Sequence, residues 1–321
     1  MTLEDDLRTT LLDRAATPAP APDLWASVTA GVQRDRRRRR TVVAVAAAAV
    51  VAAGAAVPAL LHDRQRAAPS TPAASVAPTP AAPPVIFPLR PTWTPSWLDT
   101  GSFTVTRMGP NVRMDFTRDI MLSTEIGPLR GDWEVEATDV DQVDIHGQTA
   151  ELRSAGTYDG AGPGDRFTGV RWRLPDGRWI TVLSMGRMTR DELLQYARGL
   201  AGGRRPALLG APFTLPFVPS GLVVQFEAED ALCFASPRVA ATERQPSGLC
   251  LTVDTDRWDH ADAGETWDIG GRQVAYYPEA ASLSVQWGGD TAIDVTWDPE
   301  EIPLTHEQVV QLAAGLRYVH R

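Results

Sequence analysis

The hydrophobic and polar positions of this chain fall into three patterns. From Thr41 to Leu61, TVVAVAAAAVVAAGAAVPALL, twenty-one consecutive residues carry no charge. A helix rises about 1.5 Å per residue, so this length matches a bilayer's hydrocarbon core of roughly 30 Å and predicts a transmembrane helix. Before it the pattern is helical but short. Leu3, Leu7 and Leu11 recur along one face, Thr17–Pro22 interrupts with three prolines, and Asp23 caps a second stretch with Leu24, Trp25, Val28 and Val32 on one side. Helices this short do not bury a core alone. Two readings stand for them: a solvated tail against the membrane, or a docking segment that folds on a protein partner through Leu3, Leu7, Leu11, Leu24, Trp25 and Val28.

Beyond the apolar run the period changes to two. Val170, Trp172 and Leu174 alternate with polar residues, as do Trp179, Thr181 and Leu183, and Pro175-Asp176-Gly177 between them is a hairpin signature. Val285/Trp287 and Ile293/Val295/Trp297 flank Gly288-Gly289-Asp290 in the same way. Each set precedes a capping box, Thr189 with Glu192 and Thr305 with Gln308. Behind each box runs an apolar helix stripe: Leu193, Leu194, Ala197 and Leu200, then Val309, Val310, Ala313 and Leu316. Matching order and spacing, including Ile145–Gly147 against Ile269–Gly271, read as one domain copied and diverged. The expected fold class is α+β: one transmembrane helix, then two tandem repeats, each an antiparallel sheet with a C-terminal helix packed on it. The expected organisation is a cytoplasmic amphipathic segment at 1–40, the span at 41–61, a Pro/Ala-rich spacer at 62–91, and extracytoplasmic repeats at 92–204 and 205–321.

Charge gives the span a direction. Six Arg at 34 and 36–40 precede it and only Arg64 and Arg66 follow closely. Basic residues beside a span stay on the cytoplasmic side and attract anionic lipid, so the N terminus is expected inside and the C-terminal bulk outside the cell membrane. A twin-arginine-like cleaved signal is the alternative to an uncleaved span. The formal net charge is −9 over 321 residues, and residues 90–321 carry 21 Arg against 33 Asp and Glu. That acidic bulk excludes nucleic acid as its main partner. All 31 basic residues are Arg, a composition expected of a GC-rich bacterial genome.

Candidate chemistry is sparse. Cys233 and Cys250 both lie beyond the span, where a disulfide is permitted; two buried free thiols are the alternative. His62, His146, His260, His306 and His320 show no spacing that assembles a triad. The stretch Asp254–Glu265 is rich in carboxylates but has Asp259 where a calcium loop of the EF type needs Gly, and reads as a solvated acidic loop. Gly160, Gly162 and Gly164 lack the strand–loop–helix setting of a phosphate loop. Trp172 and Trp287 occupy matching strand positions and read as core, with an aromatic-lined ligand groove as the second reading. No catalytic residue, metal ligand or cofactor is expected, and the chain is not expected to be an enzyme.

The short Leu-rich segment, the Pro break, Asp23-Leu24-Trp25, the Arg run and the Ala/Val-rich span together resemble anti-sigma-factor-type single-pass membrane proteins of GC-rich Gram-positive bacteria. The motifs at Ile145–Gly147, Trp172 and Thr189, and at Ile269–Gly271, Trp287 and Thr305, resemble tandem extracytoplasmic sensor-like domains attached to such proteins. Residues 1–40 contain neither His nor Cys, so the zinc-binding variant of that family is not implied. The resemblance implies a membrane regulator that senses or binds an envelope signal outside and contacts a partner inside, a sigma factor among the candidates. The alternative is a membrane-tethered binding module for a lipid or peptide, with the N terminus only an anchor.

Overall fold

The computed structural model describes residues 84–117, 121–255, 263–289 and 291–318, all within one compact unit spanning Ala73–Arg321. The expected span and the N-terminal segment lie outside the described residues; among those described, no helix is long and apolar enough to cross a membrane.

Period-two sequence becomes strand throughout. One flank contains β2 (Thr104–Met108), β3 (Asn111–Thr117), β4 (Met121–Gly127), β5 (Asp139–Ile145), β6 (Gln148–Ala155), β7 (Arg166–Arg173) and β8 (Trp179–Gly186). The other contains β11 (Val223–Glu227), β12 (Ala231–Ala235), β13 (Leu249–Asp254), β14 (Glu265–Ile269), β15 (Arg272–Tyr277), β16 (Ser282–Gly288) and β17 (Thr291–Thr296). Two short ribbons complete the strands: β1 (Ile86–Pro91) with β9 (Leu200–Pro206), and β10 (Phe213–Thr214) with β18 (Arg317–Tyr318). Among the described residues the α-helices are α1 (Arg190–Arg198), α2 (Pro237–Thr242) and α3 (His306–Gly315).

The expectation of two tandem sheet-plus-helix repeats is overturned by the pairing of β11 with β2. That step joins all fourteen strands into one sheet, in the order β14-β15-β16-β17-β13-β12-β11-β2-β3-β4-β8-β7-β6-β5. The described part is therefore mostly β, with short helices on one continuous sheet, rather than α+β in two units. Alternation within a segment reports which side of a strand is buried. It does not report which edges meet, and an open edge is a ready partner for another. The joint is narrow: Phe226 faces Met108 and Glu227 faces Arg107, two pairs against four or more at every other step.

Each flank has its own apolar core on the helix side. Phe116, Leu122, Trp172, Val182, Leu193 and Tyr196 belong to one; Leu249, Leu251, Val285, Ile293, Val309 and Leu312 belong to the other. Both helices start as their capping boxes require. Thr189 Oγ1 accepts from the Glu192 N–H at 3.2 Å while Glu192 accepts from the Thr189 N–H at 2.8 Å. The corresponding distances at Thr305 and Gln308 are 3.3 and 2.9 Å. Pro175–Gly177 turns β7 into β8, with Gly177 at φ 90°.

The spacer expectation reached Pro91, but Ile86–Pro91 is a strand. Its prolines hid the alternation of Val85 and Phe87, which are 2% and 0% exposed in the first core. Burying a Phe stabilises by roughly 1.5–3 kcal/mol. The register shifts between Phe87 and Leu89, around Pro88, as proline in a strand requires.

Candidate functional site

The side of the first flank opposite its core is built from the polar residues that alternate with the apolar core ones. Glu151 on β6, Arg171 on β7, Thr181 on β8, Glu125 on β4 and Arg113 on β3 stand in one cross-strand row. Their neighbours Ala150, Leu152, Val170, Trp172, Ile180, Val182 and Met114 face the core, so the strand pleat forces these polar groups onto the reverse side. The segment 128–138 lies over this row. Leu129 is tied to Asn111 by two hydrogen bonds, Asn111 Nδ2 to the Leu129 carbonyl at 2.9 Å and the Leu129 N–H to Asn111 Oδ1 at 3.1 Å. Trp133 seats against Phe167 and Leu183. The seat requires Gly169: a Cβ there would come within 2.7 Å of the Trp133 ring.

Four guanidinium groups gather at this face. Arg130 Nη2 and Arg171 Nη2 donate to Glu151 Oε2 at 2.9 and 2.8 Å, and Arg153 Nε donates to Glu151 Oε1 at 2.8 Å. Arg171 and Arg153 lie over the Trp133 ring at 4.3 and 5.0 Å from its centroid. Arg130 and Arg173 lie over Trp179 at 5.3 and 5.8 Å. Burial pushes the Glu151 carboxyl up, but the hydrogen bonds from Arg171 and Arg153 outweigh it and hold its pKa below the usual value. Burial lowers that of Arg171, whose side chain is 5% exposed. Arg171 Nε and Trp133 Nε1 are buried without a hydrogen-bond partner.

Next along the row, Arg244 reaches over from the second flank. It donates through Nε and Nη2 to both oxygens of Glu125 and through Nη1 to Asp132 at 2.8 Å. Burial works against the Arg244 charge, but Glu125 and Asp132 outweigh it and hold its pKa above the ordinary value. Arg113 is held similarly by Asp115 and Glu134, each at 2.7 Å, while burial pushes Asp115 up. At the joint itself Glu227 is nearly buried, with Oε2 3.8 Å from Arg107 Nε, and burial raises its pKa. Gly109, at φ 59°, passes so close to the end of α2 that a Cβ would meet the Glu243 carbonyl at 2.1 Å.

Of the residues singled out from sequence, Cys233 and Cys250 face each other across β12 and β13 and their sulfurs are joined, with Cα atoms 4.0 Å apart. Leu3, Leu7, Leu11, Leu24, Trp25 and Val28 lie outside the described residues, as do His62, His260, His320 and most of the acidic stretch. His146 sits in a turn at φ 55°. His306 opens α3, with Nε2 3.1 Å from Glu265 Oε2. Among the described residues no three His, Cys, Asp or Glu side chains converge as a metal site would. The glycine-rich loop closes on itself, the Gly162 N–H donating to Asp165 at 2.9 Å. Trp172 is core; Trp287 is half-buried at the second core under the Arg272 guanidinium, 4.3 Å from its centroid. Sequence reading missed the arginine face, although its signal was present: Glu151/Arg153 and Arg171/Arg173 put charge at every second position beside core residues.

No protein-family model matches the chain, and no curated protein matches it. Solved structures with a weak likeness include the following two. One is MucB in complex with MucA(peri), at 11% identity, TM-score 0.18, covering 68% of this chain and 93% of that one. The other is the Pseudomonas aeruginosa MucA/MucB complex, at 10% identity, TM-score 0.16 and the same coverages. At these scores the likeness specifies neither fold nor role.

Proposed function

We propose that this protein is a single-pass membrane regulator. In this reading its C-terminal β body lies outside the membrane and binds an envelope ligand, and its N-terminal segment contacts a cytoplasmic protein, with a sigma factor the partner implied by the resemblance. The observation that carries the reading is the Cys233–Cys250 disulfide, in a body that follows the Thr41–Leu61 run while the six-Arg run precedes it. Disulfides persist in oxidising compartments and basic flanks stay inside, so the two signals agree on orientation. The chemistry of the arginine face suits capture and not turnover: it offers guanidinium donors and indole rings around one ion-paired carboxylate.

A second reading, a tethered binding module, draws on that same face and needs nothing from residues 1–40. Affinity capture with the full chain, compared with a variant lacking residues 1–33, separates the two. The regulator reading expects a transcription-machinery component that is lost with the deletion. Full function of the deleted chain contradicts it and favours the tether.

A further inference from the structure

We propose that the rim formed by Arg130, Arg153 and Arg173, over a floor of Arg171 and Trp133, binds a phosphate group carried by an anionic ligand. Four guanidinium groups share this patch with one carboxylate, Glu151, leaving three positive charges uncompensated. Three acids on neighbouring segments are committed elsewhere: Asp132 to Arg244, Glu134 to Arg113 and Asp176 to Arg178. The surplus stands in a body whose residues 90–321 carry 21 Arg against 33 acids, so it is a local concentration and not a general basic surface.

Glu151 has a second effect. By holding one edge of each of three guanidinium groups, it orders side chains that lose much rotamer freedom when fixed. The forks are thereby arranged before a ligand arrives, which lowers the cost of binding. Arg130, with its side chain 54% exposed, and Arg173 retain donors toward solvent beside the Trp179 ring. Beneath them Arg171 is fixed by the Gly131 carbonyl at 2.6 Å and by Glu151 at 2.8 Å and lies over the Trp133 ring, so the rim stands on an ordered support. A surplus of three charges and planar forks suits a phosphate, singly or doubly ionised, better than a single carboxylate.

The inference rests on reading the body as a ligand-binding unit, and its test leaves membrane orientation untouched, so either can fail alone. Purified full-length chain is titrated with sodium pyrophosphate, with dihexanoylphosphatidic acid and with sodium acetate, followed by tryptophan fluorescence and calorimetry. Saturable binding of a phosphate probe with a Kd below about 1 mM is expected. Arg130→Ala and Arg173→Ala each weaken it about tenfold or more, the loss of one charge-assisted hydrogen bond. Both side chains are at the surface, and the unfolding transition of each variant is expected unchanged. Binding of pyrophosphate alone assigns the site to free phosphate, and binding of the lipid alone assigns it to a headgroup; either supports the proposal. No saturable binding, acetate bound as tightly as phosphate, or binding unaltered in both variants overturns it.

Discussion

The reverse faces of the two flanks are made of opposite materials. In the first, Arg113, Glu125, Glu151, Arg171 and Arg244 form an ionic field beneath the 128–138 segment. In the second, the positions that alternate with core residues on β12, β15, β16 and β17 include small buried ones, Ala231, Ala235, Ala275, Ser284 and Ala292, and a disulfide joins Cys233 to Cys250. The helix sides are alike by comparison. Each core is capped by a helix with a complete capping box, and the first residue of each helix pairs with the outermost strand: Arg190 with Asp141 at 2.9 Å, His306 with Glu265 at 3.1 Å. The first pair uses a permanent cation and the second a histidine, charged only when protonated. A shared helix-on-sheet core thus leaves the other side of the sheet free to specialise. One flank is secured by charge pairs and the other by a covalent bond.

The largest effect expected on this comparison comes from Glu125→Ala. It leaves Arg244, 11% exposed, without its main partner, and breaking such a pair costs about 3–5 kcal/mol. Urea unfolding should show that loss; a change below about 1 kcal/mol would mean the pair is not what secures this face. Next comes the Cys233→Ala/Cys250→Ala double variant. The sequence separation is 17 residues, and a loop of that size contributes about 3 kcal/mol. The same unfolding curves under reducing and oxidising conditions should separate for the wild type and coincide for the variant.

Helix caps rank third and should not distinguish the flanks. Thr189→Ala and Thr305→Ala are each expected to cost about 1 kcal/mol. A marked inequality between them would show that the helix sides are less alike than their geometry. The smallest effects concern pH and have opposite signs. The folded pKa of Glu227 is raised, so its carboxylate destabilises at neutral pH and that burden lifts as pH falls through the folded value. Glu227→Gln should therefore unfold later than wild type at neutral pH, with the gap closing in acid. The folded pKa of Glu151 is lowered, so its contribution is present above the unfolded value and is lost as pH falls through the folded one. Glu151→Gln should unfold earlier at neutral pH, and again the gap should close in acid. Thermal midpoints across the acid range would read both.

Much of this was legible in the chain because it is local. Pro175-Asp176-Gly177, Thr189/Glu192 and Thr305/Gln308 act within a few residues, and each does what its chemistry dictates. Ile86–Pro91 was not legible, since two prolines mask a strand that exists only because Phe87 has a core to enter and β9 to pair with. The joint was beyond reach for a related reason. Phe226 meets Met108 across more than a hundred residues, and no periodicity within either strand announces the meeting. The arginine face stood between these cases. Its residues alternate with core positions in plain view, but Arg130, Trp133 and Arg244 arrive from segments without periodicity, so their convergence appears only in three dimensions.

Orientation across the membrane is the claim on which the functional reading turns, and one labelling experiment tests it. Asp176→Cys places a thiol in the exposed β7–β8 turn, where it leaves the disulfide intact, and Ser27→Cys places one before the Arg run. With a membrane-impermeant maleimide on intact cells, the account predicts that Asp176→Cys is labelled at once and Ser27→Cys only after lysis. Labelling of Ser27→Cys in intact cells, or protection of Asp176→Cys until lysis, would contradict it.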